Sequence, residues 1–252
     1  MVRVNRRPLL EVPPLESWSE FHPQFVAKWS QGQHCLFIGP TGSGKTVAAH
    51  TLANDQRFVC VLGTKPYDEE MDRFISEGYV RIEDWPAPPS AMRKAIQELP
   101  DGRTVVRLVL WPKIKTREQL RSFRPVYAKA LDEMLIDKGW TIVADEGLWL
   151  CDRNGLNLGP QLSAIAYTGR SMKVTLMVLL QRPAGVPRTV WANCAHAFVW
   201  RHGVTNDTRE LASLGTEDPK AVTAAVQSLR GFDFLYLPCR AGDGWAISRV
   251  DY

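Results

Sequence analysis

The chain has 252 residues, 45% hydrophobic and 23% charged, which gives it enough apolar content for a sizeable buried core. Its formal net charge of +4 is compatible with a nucleic-acid partner without demanding one. The five cysteines are scattered without Cys-x-x-Cys spacing, no apolar run reaches the ~18 residues of a membrane span, and the N-terminus lacks the apolar stretch of a signal peptide. Disulfide scaffolds, zinc sites, membrane insertion and secretion are therefore set aside, and reduced thiols in a cytoplasmic protein are expected.

Residues 1–28 read as an N-terminal arm. Arg3, Arg6 and Arg7 make its start basic, Pro8, Pro13 and Pro14 break regular structure, and a short helix is expected from Trp18 to Trp29. The remainder, 29–252, reads as one α/β domain. The apolar run Cys35-Leu36-Phe37-Ile38 leads into Gly39-Pro40-Thr41-Gly42-Ser43-Gly44-Lys45-Thr46, and Val47 to Leu52 follows as a helix. This is the phosphate-cradling loop, Gly-x-x-x-x-Gly-Lys-Thr between strand and helix. Gly39, Gly42 and Gly44 can take positive φ and let the backbone approach a polyphosphate, whose charge the loop N–H groups and the helix N-terminus would meet. Lys45 would reach the β- and γ-phosphates of ATP, and the Thr46 hydroxyl would bind Mg²⁺.

Downstream, Phe58 to Leu62 reads as a buried strand, Glu69 to Ile75 as an amphipathic helix, Tyr79 to Ile82 as a strand, Ala91 to Leu99 as a helix and Thr104 to Trp111 as a β-branched strand. Thr116 and Gln119 have capping-box spacing. Leu120, Phe123, Tyr127, Leu131 and Met134 then recur at helical period, so one long helix is expected. Next come a strand from Trp140 ending in Asp145-Glu146, a helix over 160–171, strands over 174–181 and 197–200, helices near 207–214 and 219–229, and a closing strand pair at 232–237 and 245–250. Strands alternating with helices predict a mostly parallel sheet covered on both faces.

Asp145 and Glu146 end an apolar strand, the place where an aspartate would hold the Mg²⁺ water shell and a neighbouring glutamate would polarise the attacking water. Gln181 ends a strand expected beside that of Asp145, where its amide would sense the γ-phosphate or hold the water. An arginine from another subunit would supply a further transition-state donor; Arg170 is the first candidate, with Arg182 and Arg153 in reserve. Lys65 lies in the turn after the Phe58–Leu62 strand, and Lys113, Lys115 and Arg117 share a lysine-rich turn after Trp111. The nine tryptophans are read as core and interface packing.

The strings Gly169-Arg170-Ser171, Gln181-Arg182-Pro183, Val186-Pro187 and Ala192 to Phe198, taken with the loop and the acidic pair, resemble the FtsK/HerA superfamily of ring-forming DNA-pumping ATPases, and within it the small packaging ATPases of bacterial viruses. The resemblance covers residues 33–250. It implies an additional-strand, RecA-like P-loop NTPase fold and a homo-oligomeric ring with ATP at subunit interfaces, using a trans arginine and loops that grip double-stranded DNA, for which Lys65, Lys113, Lys115 and Arg117 are the candidates. A portal or capsid vertex protein would be its docking partner and the host cytoplasm its location. A HerA-like helicase, a conjugation-type translocase and an ATP-dependent assembly or extrusion protein that does not move DNA are the alternatives. No nuclease-like region follows the motor, so DNA cutting is not expected.

Overall fold

The computed structural model describes residues 12–183, 186–203, 207, 210–211, 213–215, 217–239 and 244–250. The strands are β1 (Leu15–Glu16), β2 (His34–Ile38), β3 (Phe58–Leu62), β4 (Val80–Ile82), β5 (Ile96–Glu98), β6 (Thr104–Leu110), β7 (Trp140–Ala144), β8 (Thr175–Leu180), β9 (Cys194–Trp200), β10 (Asp233–Pro238) and β11 (Ala246–Arg249). They form one sheet in the order β1-β11-β10-β9-β2-β8-β7-β3-β6-β4, with β5 antiparallel on β6. Every neighbouring pair from β9 to β4 is parallel, while β10 runs antiparallel to both β9 and β11.

The central strands are apolar on both faces, as a doubly covered parallel sheet requires. Because side chains alternate along each strand, Leu36, Cys60, Leu108, Ile142 and Leu176 enter one core while Phe37, Val61, Val109, Val143 and Met177 enter the other. The first core is closed by α6 (Arg124–Asp137) and α8 (Gly159–Met172), through Tyr127, Leu131, Leu162 and Ile165, and by α10 (Pro219–Ser228) through Val222 and Val226. The second is closed by α1 (Trp18–Lys28), α2 (Lys45–Asn54) and α3 (Glu69–Ser76). Short helices α4 (Pro89–Ala95), α5 (Arg117–Leu120), α7 (Gly147–Cys151) and α9 (Arg188–Ala192) complete the set named here. The expected α/β architecture is present.

Three expectations need correcting. Residue 28 is not a packing boundary: Ser17 caps α1 with a full capping box, Phe21 and Phe25 are each 4% exposed among Phe198, Phe234 and Tyr236, and β1 pairs with β11. The basic residues 1–11 lie outside the described residues. The long helix is broken, because Pro125 has no N–H to give and its ring would clash with a carbonyl one turn back. The Thr116–Gln119 capping box does form, but it opens only α5; a 3-10 turn over Arg121–Phe123 then leads into α6. The helix expected to Leu99 ends at Ala95, and Ile96–Glu98 pair with β6 instead. Most of the helix expected over 207–214 lies outside the described residues.

Candidate nucleotide site

The glycine-rich loop leaves the C-terminal end of β2, and Gly39 N donates to Leu180 O at 3.0 Å, carrying the β2–β8 ladder one residue past the strand. Gly42 (φ 74°) and Gly44 (φ 98°) hold the left-handed backbone that a side chain disfavours. Gly39 serves differently: a Cβ there would lie 2.6 Å from Trp200 Cβ and 2.9 Å from Ser43 Oγ. Ser43 Oγ is buried and has no hydrogen-bond partner among the described residues, an orphan hydroxyl that an anionic oxygen would satisfy. The loop turns into the N-terminus of α2, whose unpaired N–H groups and dipole favour negative charge.

Lys45 opens α2, is 9% exposed, and donates from Nζ to Pro40 O at 2.7 Å. Burial pulls its pKa down to about 8; Asp145 opposes that shift and Lys65 adds to it. A buried ammonium whose hydrogen bond goes to a neutral carbonyl gains from a nearby anion, and a polyphosphate supplies one.

Asp145 follows β7 and is 7% exposed. Burial pushes its carboxyl up to about 6; Lys65 and Lys45 draw it down, and Asp68 and Glu146 push it further up. Glu146 caps α7 in the left-handed region (φ 55°, ψ 52°), a conformation costing a non-glycine residue about 1–2 kcal/mol. Backbone strain of this kind concentrates at functional sites, and here it turns the glutamate out of the strand direction at the head of a helix.

Strand β8 lies between β2 and β7, with Ile38 opposite Leu180 and Ala144 opposite Val178. Gln181 therefore leaves the sheet between the loop and the acidic pair. Thr41, Gly42, Lys45, Thr46, Asp145, Glu146 and Gln181 line one cleft. Thr46 and Asp145 present a hydroxyl and a carboxylate, oxygen donors that suit Mg²⁺, which commonly takes one or two protein ligands and completes its shell with water and phosphate oxygens. The raised carboxyl of Asp145 is a further sign of fit, because a cation would offset its burial.

Lys65, expected among DNA contacts, belongs to this cleft. Its Nζ lies 3.0 Å from Asp68 Oδ2, 3.3 Å from Glu146 Oε1 and 3.7 Å from Asp145 Oδ2, and these carboxylates hold its pKa above the ordinary lysine value against the opposing effect of burial. Asp68 is itself fixed as the cap of α3, accepting from Glu70 N at 3.1 Å. Glu70 also lines the cleft. Sequence reasoning missed both roles, and the signal was positional: β3 neighbours β7 with Leu62 opposite Ala144, so the residues just past the two strand ends meet.

The other candidates disperse. Arg170 is exposed in the last turn of α8, against the Gly32 turn that precedes β2, at the opposite edge of the sheet from the loop. The length of β8, about 20 Å at ~3.3 Å per residue, separates it from its own subunit's phosphate loop. Arg182 makes a bidentate pair with buried Asp207 at 3.0 and 3.2 Å. Arg153 is exposed in the turn after α7. Lys113 pairs with Glu83 at 3.3 Å, and Lys115 is exposed beside it, donating its backbone N–H to Gln119 Oε1 at 2.7 Å. Arg117 heads α5, and its side chain lies outside the described residues.

A Gly-x-x-x-x-Gly-Lys-Thr loop and an acidic strand end, separated in the sheet by one added strand, define an additional-strand P-loop nucleotide-binding fold. No protein-family model and no curated protein matches the chain. Among solved structures it resembles the DNA-packaging ATPase B204 of Sulfolobus turreted icosahedral virus (12% identity, TM-score 0.59, covering 89% of this chain and 100% of that one). It also resembles VirB4 of Thermoanaerobacter pseudethanolicus (12% identity, TM-score 0.60, 87% and 89%). A third likeness is to the genome packaging NTPase B204 of Sulfolobus turreted icosahedral virus 2 in complex with ATP-gammaS (11% identity, TM-score 0.58, 87% and 98%). At these identities the common property is the fold, and it is the fold that the resemblance to the FtsK/HerA superfamily implied.

Proposed function

We propose that this chain is an ATP-driven DNA translocase, a viral genome-packaging motor that hydrolyses ATP at the subunit interfaces of a homo-oligomeric ring. The observation that carries the reading is the convergence of Lys45, Thr46, Asp145, Glu146 and Gln181, from three separate segments, on one cleft. In this reading the loop N–H groups and Lys45 bind the β- and γ-phosphates. Thr46 and Asp145 hold Mg²⁺, which neutralises charge on the phosphate oxygens when bound. The Glu146 carboxylate orients the attacking water and takes its proton, and the Gln181 amide fixes that water or senses the γ-phosphate. Arg170, unable to act in its own subunit, serves the next one.

Lys113, Lys115 and Arg117 contact the backbone of double-stranded DNA, and a portal or capsid vertex protein receives the motor in the host cytoplasm. Packaging ATPases among the similar folds support this reading. Glu146→Gln should bind ATP with near wild-type affinity and hydrolyse it at least ~10²-fold more slowly. Wild-type turnover by that variant removes Glu146 as the base. A conjugation-type or HerA-like translocase is the second reading, since the same cleft would serve it, and a procapsid packaging assay separates the two.

A further inference from the structure

Beside the nucleotide cleft lies a second cleft of about 300 Å³, lined by Glu146, Leu148, Trp149, Asp152, Leu179 and Gln181. Its floor is apolar, Leu148 on its rim is 47% exposed, and its charged groups are acidic. Glu146 is partly balanced by Lys65, while Asp152 turns one oxygen to the Asn154 N–H at 2.6 Å.

At the opposite edge of the same sheet, the end of α8 has the complementary character. Tyr167 is 77% exposed, and Arg170, one helical turn further on, and Lys173 are exposed beside it. An aromatic knob next to cations on one edge, with an apolar acidic cleft on the other, is the arrangement of a head-to-tail contact between identical chains. Tyr, Trp and Arg are also the residues that most often dominate contact energy.

We propose that Tyr167 of one copy of this chain seats in the Leu148–Trp149–Leu179 cleft of the next copy and thereby delivers Arg170 to the rim at Glu146 and Gln181. The inference rests on the ring reading and gives that ring a specific anchor. The contact is heterologous, so it closes into a ring when the rotation per subunit permits. It also gives the nucleotide cleft and the subunit contact a shared wall, since Glu146, Leu179 and Gln181 line both clefts.

The test uses the full chain with a nonhydrolysable ATP analogue. Tyr167→Ala should weaken self-association about tenfold or more, measured by sedimentation, while a fluorescent nucleotide still binds the monomer; Tyr167→Phe should restore association. In the paired variant Tyr167→Cys with Leu148→Cys, a short bismaleimide should give a ladder of covalent multimers that neither single variant gives. Unchanged association of Tyr167→Ala, or no ladder from an associated paired variant, overturns the anchor and leaves the ring reading standing. A wild-type chain that binds nucleotide but stays monomeric at every concentration overturns both.

Discussion

Lys65 reaches both Asp145 and Glu146, so deleting its charge alters the acidic pair of the cleft before it alters any surface. Lys65→Ala should lower ATP hydrolysis about tenfold or more while changing the salt dependence of DNA binding by less than about one phosphate contact. A large fall in the salt slope with normal turnover would return Lys65 to the DNA contacts. The raised carboxyl of Asp145 gives a second consequence. If Asp145 holds the metal as proposed, a proton and a divalent cation compete for its carboxyl, which burial pushes up to about 6, so cation affinity should climb as pH rises through about 6 and level off above it. Titrating Mn²⁺ into the nucleotide-free protein from pH 5 to 8 checks this, and a flat profile contradicts it. The loop, Asp145 and Glu146 were legible in the sequence because each motif is local. Lys65 was not, because its partners come from β7, which only the strand register brings alongside.

At the scale of elements, the loop is held against β9 by a missing side chain. Gly39→Ala would drive a Cβ into Trp200 and Ser43, and the overpacking should cost about 1–3 kcal/mol of stability, read by denaturant unfolding. An unchanged midpoint would mean that the close approach of Gly39 to Trp200 is not maintained. Periodicity revealed the buried faces of α6 and α8 and most of the strands, because burial on one or both faces leaves a period in the sequence. It joined α5 to α6 because Leu120 and Tyr127 keep helical spacing across the 3-10 turn, and both are fully buried. The break came from backbone chemistry at Pro125, which the apolar pattern does not record. Likewise the segment holding α1 reads as peripheral from Pro8, Pro13 and Pro14 ahead of the helix, yet the aromatic face of α1 closes the sheet over β9 and β10.

For the molecule as a whole, strand order decides what the site can do. Placing β8 between the loop strand and the acidic strand puts Gln181 in the gap, and it leaves Arg170 at the far edge of the sheet from the loop, the position on which its proposed role in a neighbouring copy rests. The alternation of strands and helices made a parallel sheet legible in the sequence. The order β2-β8-β7 was only partly so, since nothing local to Thr175–Leu180 states which strands it will separate. The central claim is that ATP turnover at this cleft is coupled to DNA. Its most direct test is the steady-state ATPase rate of the full chain with and without double-stranded DNA. The expected result is stimulation by DNA that weakens with added salt, and a rate with no response to DNA, alongside no DNA binding at low salt, would contradict the account.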